Sequence, residues 1–494
     1  MSRRGFPPVA PSSAVLVVLL LIAAAAGGVR GLRGNAAQPR KLAVGGSGDS
    51  PRRRAAELVK ESSHASVMGG GHIPPLQLIL AEEGRAEGAV CLDGSAPGFY
   101  YRKGYGSGSD NWVLFFEGGA WCASPHACEY RARMHLGSTK HARSVGEMLD
   151  RQNGSMQGML SGNRTVNPDF YNWNAVYFIY CDGGSFSGHQ DQPVRFNGIP
   201  LYMRGRKVAD LMVKHLMEKK GLGHAEKVRG GEGRVRVGRV RVGRVRVGGV
   251  RVGGVRVGGV VRGRRVADLL VKHLMEKKGL GHAEKVVVSG SSAGGVALLL
   301  HCDRVRDTIT AASPSMHVRC LADASMFLDI PDSDNNRRIA AFFSQVQTMH
   351  NLTISLPPAC VKDRALEQHH QCFMANHILQ YVSTPLFLIN SNYDKVAMRA
   401  ITQPQVLDSG LTAPPDCFDH LSTCTAKEKH IFEDYRKAVA NAVAPLAHST
   451  PANAVFLFSC FQHGSIHSDV PWMMRTAKGV VSCALTVGFP FLAQ

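Results

Sequence analysis

The sequence predicts an α/β fold: a mostly parallel central sheet with helices on both faces. Three observations predict it. Short apolar runs rich in β-branched and aromatic residues recur, at 112–116, 286–289, 384–389 and 455–458. Between them lie longer segments with helical periodicity, such as 205–228, where Val, Leu and Met fall on one stripe. Each run also ends in a Gly-rich or polar segment. In a parallel sheet, reactive groups gather beyond the carboxyl ends of the strands.

The chain has 494 residues, of which 44% are hydrophobic, so it can bury a substantial core. Residues 1–26 read as an export signal. Arg3 and Arg4 precede an unbroken apolar run from Ala14 to Ala26, which ends in small residues and is short for a bilayer span. No stable membrane insertion is expected once this segment is removed. A variable segment follows at 27–74, and the catalytic domain is assigned to 75–494. Twelve cysteines in an exported chain favour disulfides, and Cys122–Cys128 and Cys417–Cys424 could close short loops. No tight Cys/His cluster has zinc-ligand spacing, so no metal is expected. Asn153, Asn163 and Asn351 each begin an Asn-x-Ser/Thr triplet and are candidate glycosylation sites.

The formal charge of +20 has a local origin. Residues 229–262 hold ten Arg and one Glu in a repeating Arg-Val-Arg-Val-Gly theme. A five-residue period keeps no side-chain type on one face of a strand, nor does it match a helix. No aromatic residue interleaves the arginines to stack bases, so nucleic acid is not an expected partner. This basic repeat separates two copies of one segment. Residues 205–228 and 263–286 agree at 22 of 24 positions, differing at Lys207/Arg265 and Met212/Leu270. Two copies are too few for a solenoid. The segment 229–286 therefore reads as an interruption of the domain, and one copy is expected to occupy the native helix position.

Directly after the second copy comes Val286-Val287-Val288-Ser289, then Gly290-Ser291-Ser292-Ala293-Gly294-Gly295, then the apolar run Val296–Leu300. A strand, a tight Gly/Ser turn and a helix start are the context of a Gly-x-Ser-x-Gly nucleophile elbow. Ser292 is the expected nucleophile, with the helix N-terminus favouring developing negative charge. A serine needs a base, and the base an orienting acid. In the chain order serine, acid, histidine, the run 384–389 leads to Asp394, and the run 455–458 leads to His463. His467 is a rival base and Asp419 a rival acid. Trp112–Phe116 is a strand followed by Glu117-Gly118-Gly119-Ala120-Trp121-Cys122. The backbone N–H groups of Gly119 and Ala120, with that of Ala293, are the expected oxyanion donors. Together these features predict an α/β-hydrolase fold and a serine ester hydrolase.

Several landmarks extend this reading. They are Cys91-Leu92-Asp93-Gly94-Ser95, Phe116 to Cys122, Asn167-Pro168-Asp169-Phe170-Tyr171-Asn172-Trp173-Asn174 and Tyr180-Cys181-Asp182-Gly183. To them are added the elbow, Leu299-Leu300-His301-Cys302-Asp303, Asn390 to Asp394, and Ser459-Cys460-Phe461-Gln462-His463. In order and in combination they resemble the plant pectin acetylesterase family, whose relatives include secreted carboxylesterases that remove a fatty acyl group from Wnt proteins. The resemblance implies release of acetate from esterified pectin by a triad of Ser292, Asp394 and His463, without a metal or organic cofactor. It implies acetylated pectin as partner and the extracellular cell wall as location, with the chain acting as a monomer.

The chain also departs from that pattern. Ser291 stands where the family usually has Cys or Asn. Lys395-Val396-Ala397 replaces Ser-Trp-Gln after the acid, and Gly464-Ser465 replaces Cys-Gln after the base. These changes keep two alternatives in play: a catalytically impaired protein that binds wall polysaccharide, and a carboxylesterase for another acyl group.

Overall fold

Strands form where the chain is continuously apolar. All five residues of β2 (Gly98–Arg102), β3 (Trp112–Phe116) and β4 (Asn174–Phe178) are buried, as strands covered on both faces must be. The computed structural model describes residues 73–150, 154–222, 285–402, 417, 423–449, 452–469 and 485–486, all within the unit His72–Gln494. The export segment, the variable segment up to residue 72, the basic repeat, Asn153 and Asp419 lie outside the described residues.

With β1 (Leu76–Leu80), β5 (Val194–Phe196), β6 (Ile199–Leu201), β7 (Lys285–Ser291), β8 (His317–Asp323), β9 (Leu386–Ser391), β10 (Ala454–Phe458) and β11 (Leu485–Thr486), the main sheet has the order β1-β2-β4-β3-β7-β8-β9-β10-β11. The six strands from β4 to β10 in that order run parallel, and the outer pairs β1–β2, β2–β4 and β10–β11 are antiparallel. β5 and β6 form a separate hairpin. The expected mostly parallel sheet is present.

The order around β3 decides where chemistry can occur. β4 follows β3 in the chain and lies on one side of it, whereas β7 lies on the other. Connections that leave in opposite directions open a crevice at the strand carboxyl ends. The chain turns at Gly118 and at Ser292 both open into this crevice.

The α-helices of eight residues or more among the described residues are α1 (Pro125–Ala132), α2 (Gly205–Lys219), α3 (Ala293–Ala312), α4 (Arg338–His350), α5 (Lys395–Thr402) and α6 (Ala426–Ser449). α2 belongs to the first copy of the duplicated segment. Its buried Val208, Ala209, Met212, Val213 and Leu216 join the main core, while Asp210 and Lys214 face solvent. The helix position is thus filled by the first copy, and β7 begins with the last two residues of the second. The helical part of the second copy lies outside the described residues.

Five disulfides join described residues: Cys91–Cys181, Cys122–Cys128, Cys302–Cys320, Cys360–Cys372 and Cys417–Cys424. Both short-loop pairings expected from sequence are among them. Cys302–Cys320 fastens α3, the helix that follows the Ser292 turn, to β8, the strand that pairs with β7. Among the described residues no helix is long and apolar enough to cross a membrane.

The duplication has a testable consequence. Deleting residues 227–284 joins Glu226 to Lys285 and preserves the local sequence, because the two copies are identical there. The shortened chain is expected to fold. Its unfolding free energy in urea should equal that of the full chain or exceed it by up to about 2 kcal/mol, from the shorter connection between α2 and β7. Failure to fold would mean that the second copy is structurally required.

Candidate active site

The site begins with a backbone crossing. At Ser292 the chain turns from β7 into α3 with φ 60° and ψ −128°. A non-glycine residue is rarely held there, and the strain marks a position fixed by its surroundings. Small residues permit the turn. A Cβ on Gly290 would lie 2.2 Å from the Gly294 carbonyl oxygen, and one on Gly294 would lie 2.1 Å from that of Phe116. A Cβ on Gly118 would lie 2.5 Å from the Ser291 oxygen and 3.0 Å from the Ser292 Cβ. The turn after β7 therefore sits directly against the loop after β3. Ser292 is half-buried at their meeting point.

Glu117 anchors that loop. Its carboxylate accepts from Arg143 at 2.8 Å and from the Tyr180 N–H at 2.8 Å, and burial pushes its pKa up despite the Arg143 charge. Beyond it, Gly119 has φ 142° and Ala120 φ 55°. Arg131 Nη1 donates to the Gly119 carbonyl at 2.7 Å, and Tyr180 Oη to the Ala120 carbonyl at 2.8 Å. The Arg131 guanidinium stacks on the Tyr180 ring at 4.6 Å. In a planar trans peptide the N–H points opposite the carbonyl. Holding these two carbonyls therefore turns the N–H groups of Ala120 and Trp121 the other way. Among the described residues the N–H groups of Gly119 and Ala120 donate to no protein group. Ala293 opens α3, where an N–H has no intrahelical acceptor.

The candidate acid and base come from the next strands. Asp394 lies three residues beyond the end of β9 and directly precedes α5. Its Oδ1 accepts from the N–H groups of Val396 and Ala397, each at 3.0 Å. It thus serves as the N-terminal cap of α5, and its side chain is 3% exposed. His463 follows β10. Its Nδ1 lies 2.9 Å from Asp394 Oδ1 and 2.8 Å from Oδ2. Burial pulls the His463 pKa down. The charge and hydrogen bond of Asp394, with the charge of Asp323, outweigh it and leave the pKa above the ordinary imidazole value. Bonded to Asp394 through Nδ1–H, the ring presents Nε2 as its free acceptor.

The structure thus pairs His463 with Asp394, the pairing expected from the sequence. His467 instead packs at the position a Gly464 Cβ would occupy. No hydrogen bond joins Ser292 to His463 among the described residues. Their loops do touch: a Cβ on Gly464 would lie 3.1 Å from Ser291 Oγ. Sequence reasoning missed Asp323, Arg131, Tyr180 and Ser185. Only Asp323, ending an apolar run, carried a signal of the same kind as Asp394.

Trp121 is the centre of an aromatic cluster beside this crevice. It meets Phe327 and Phe343 edge-on with centroids 4.9 Å apart in each case, and Phe373 at 6.3 Å. Phe327 also lies 6.2 Å from the His463 ring. Trp121 Nε1 donates to Ser185 Oγ at 2.7 Å, and that hydroxyl donates to the Ala293 carbonyl at 2.7 Å. The one group of clustered metal-ligand types among the described residues is Cys122, Cys128 and His350, and its two sulfurs form a disulfide.

Comparison with known proteins places this geometry. Residues 74–229 and 258–486 match the family model described as Pectinacetylesterase. The chain is 29% identical to Pectin acetylesterase 7 of Arabidopsis thaliana over 406 residues, covering 82% of this chain and 83% of that protein. It is 26% identical over 328 residues to the Palmitoleoyl-protein carboxylesterase NOTUM of Schmidtea mediterranea, covering 65% of this chain and 49% of that protein. In fold it is similar to the crystal structure of the Wnt deacylase Notum from Drosophila. The TM-score is 0.55 at 21% identity, over 83% of this chain and 95% of the other.

Two substitutions test the geometry. Gly294→Ala is expected to lower the unfolding free energy by about 1–3 kcal/mol, because the new methyl meets the Phe116 carbonyl; urea denaturation measures it. Asp394→Asn removes the charge that opposes burial at His463. The His463 pKa, followed by NMR titration of the ring protons, should then fall below the ordinary imidazole value. A pKa that stays raised would show that Asp394 does not set it.

Proposed function

The chain belongs to the pectinacetylesterase family, and from that premise we propose that it releases acetate from acetylated pectin by a serine mechanism. Acyl-ester hydrolysis is common to the pectin acetylesterases and to the carboxylesterases that it resembles. The observation that carries the finer reading is the His463–Asp394 pair, placed across from the strained Ser292 turn.

In this reading Ser292 Oγ attacks the acetyl carbonyl as His463 Nε2 takes its proton. Asp394 holds the imidazole by Nδ1–H and stabilises the imidazolium. The tetrahedral oxyanion accepts from the N–H groups of Gly119, Ala120 and Ala293. His463 then protonates the departing sugar oxygen. The acetyl group is then an ester of Ser292; water, deprotonated by the same histidine, attacks its carbonyl, Ser292 Oγ leaves with the proton returned by His463, and acetate is released. Proton transfer requires His463 to close on Ser292 when substrate binds, as triads commonly do.

The departures from the family pattern do not weaken this reading. Val396 and Ala397 serve Asp394 through backbone N–H groups, which any side chain leaves in place, and the Lys395 N–H donates to the Gln462 carbonyl. Ser291 turns its hydroxyl away from the crevice to Asp323. An intact acid–base pair favours an enzyme over a protein that only binds polysaccharide. The packed cluster of Trp121, Phe327, Phe343 and Phe373 supports a small acyl group, since a long chain needs a deep apolar channel. A cavity of about 320 Å³ lies elsewhere, lined by Leu328, Ile330, Asn376, Ala438, Asn441 and Ala442, and none of the three proposed catalytic residues borders it.

Five disulfides support an oxidising, extracellular setting. The side chains of Asn163 and Asn351 are exposed, as glycosylation there would require. The cell wall is the setting in which the proposed substrate occurs.

Acetate release from acetylated pectin, and from a small acetyl ester, tests the reading. Ser292→Ala is expected to lower kcat by about 10⁴-fold or more with the fold intact. Acetyl esters should exceed esters of eight carbons or longer by at least about tenfold in kcat/KM. Activity that persists in Ser292→Ala would overturn the mechanism. A folded but inactive native chain would favour polysaccharide binding alone.

A further inference from the structure

Asp323 ends β8 and is 1% exposed. Its register partner across the sheet is Ser291, the residue before the proposed nucleophile. Its Oδ2 accepts from Ser291 Oγ at 2.8 Å, from the Ser465 N–H at 2.8 Å and from the Ile466 N–H at 3.4 Å. Its Oδ1 accepts from Ser465 Oγ at 2.8 Å. Its own carbonyl accepts from the Ser292 N–H at 3.0 Å. Among the described residues no Lys, Arg or His forms an ion pair with it.

The arrangement is unusual for a structural carboxylate. A buried acid without a cation is costly unless hydrogen bonds satisfy it. Here the donors come from two separate segments, the turn that carries Ser292 and the loop that carries His463. Those segments lie far apart in the sequence, and Asp323 is the side chain that bonds to both. Two of the donors are backbone N–H groups, which can only donate, so the site calls for an acceptor.

We propose that Asp323 is a positioning residue for hydrolysis, fixing the His463 loop against the Ser292 turn and placing a second negative charge behind the base. The proposal rests on the Ser292, Asp394 and His463 reading above. Asp394 orients the ring through Nδ1; Asp323 sets where the whole loop sits. Both charges favour the imidazolium that forms when Ser292 is deprotonated. The groups around His463 are consistent with this role. Asp394 faces it from β9 and Asp323 from β8. His467 packs in its own loop. Tyr435 of α6 lies behind Asp394 and donates to the Met326 carbonyl at 3.1 Å; burial holds its pKa well above the ordinary phenol value, so it carries no charge.

Asp323→Asn separates charge from shape. The amide oxygen can keep the two backbone bonds and that of Ser291, while the amide nitrogen donates to Ser465 Oγ. The base must be neutral to act, so the acid limb of kcat/KM follows the His463 pKa. Without the second charge, that limb and the NMR titration of His463 should both move down by about 0.5 pH unit or more. Asp323→Ala removes the link as well. It should lower kcat by about 10- to 100-fold with KM within threefold, since misplacing a reacting group costs rate before it costs binding. Ser465→Ala, which loses one hydroxyl bond, should fall between native and Asp323→Ala. If Asp323→Ala does not fold, the Asn variant decides. An unmoved acid limb in Asp323→Asn, or native kcat in a folded Asp323→Ala, overturns the proposal. Ser292→Ala distinguishes the two levels: if it stays active, the underlying site reading fails, and if it is inactive while Asp323 variants behave as native, only this inference fails.

Discussion

The site depends on one close backbone contact, the packing of the α3 N-terminus against the end of β3. Gly294 meets the Phe116 carbonyl at a spacing no side chain could share. That contact brings the Ser292 turn and the Gly118–Ala120 loop together at the point where the sheet reverses its strand order. Each neighbouring element then has a defined place. β8 brings Asp323 beside Ser291, β9 brings Asp394 to the next position, and β10 brings His463 over both. The strain at Ser292 persists because the elements on either side of it are already fixed.

Three buried carboxylates organise this end of the sheet, and each is satisfied differently. Glu117 pairs with Arg143 and a backbone N–H, and holds the loop after β3. Asp394 caps α5 and binds His463. Among the described residues Asp323 has only hydroxyl and backbone donors, drawn from the Ser292 turn and the His463 loop. Backbone N–H groups recur in all three, so the electrostatics of the site survive changes in nearby side chains. That explains how Lys395, Val396 and Ala397 can follow the acid without disturbing it.

The aromatic cluster around Trp121 adds shape to this electrostatic frame. Trp121 is tied through Ser185 to the first residue of α3, so the cluster is registered to the helix start that follows Ser292. Arg131 and Tyr180 hold the other side of the loop by its carbonyls.

The sequence by itself determined the fold class and the order of the chemistry. Short apolar runs rich in β-branched and aromatic residues and bounded by turn residues read as strands covered on both faces, and the Gly-Ser-Ser-Ala-Gly turn between such a run and an apolar helix start reads as a nucleophile elbow. It also singled out Asp394 and His463, which lie just beyond two of those runs and which the structure brings into hydrogen bond. It marked the duplicated segment and the local source of the basic charge. The tertiary structure alone decided that the first copy fills the helix position, since two nearly identical amphipathic stripes fit a core equally well on paper. It alone chose His463 over His467, a matter of which ring reaches Asp394. It alone revealed Asp323, Arg131 and Tyr180, whose partners lie tens to hundreds of residues away. Such contacts depend on strand register and chain crossing, and no local pattern encodes them.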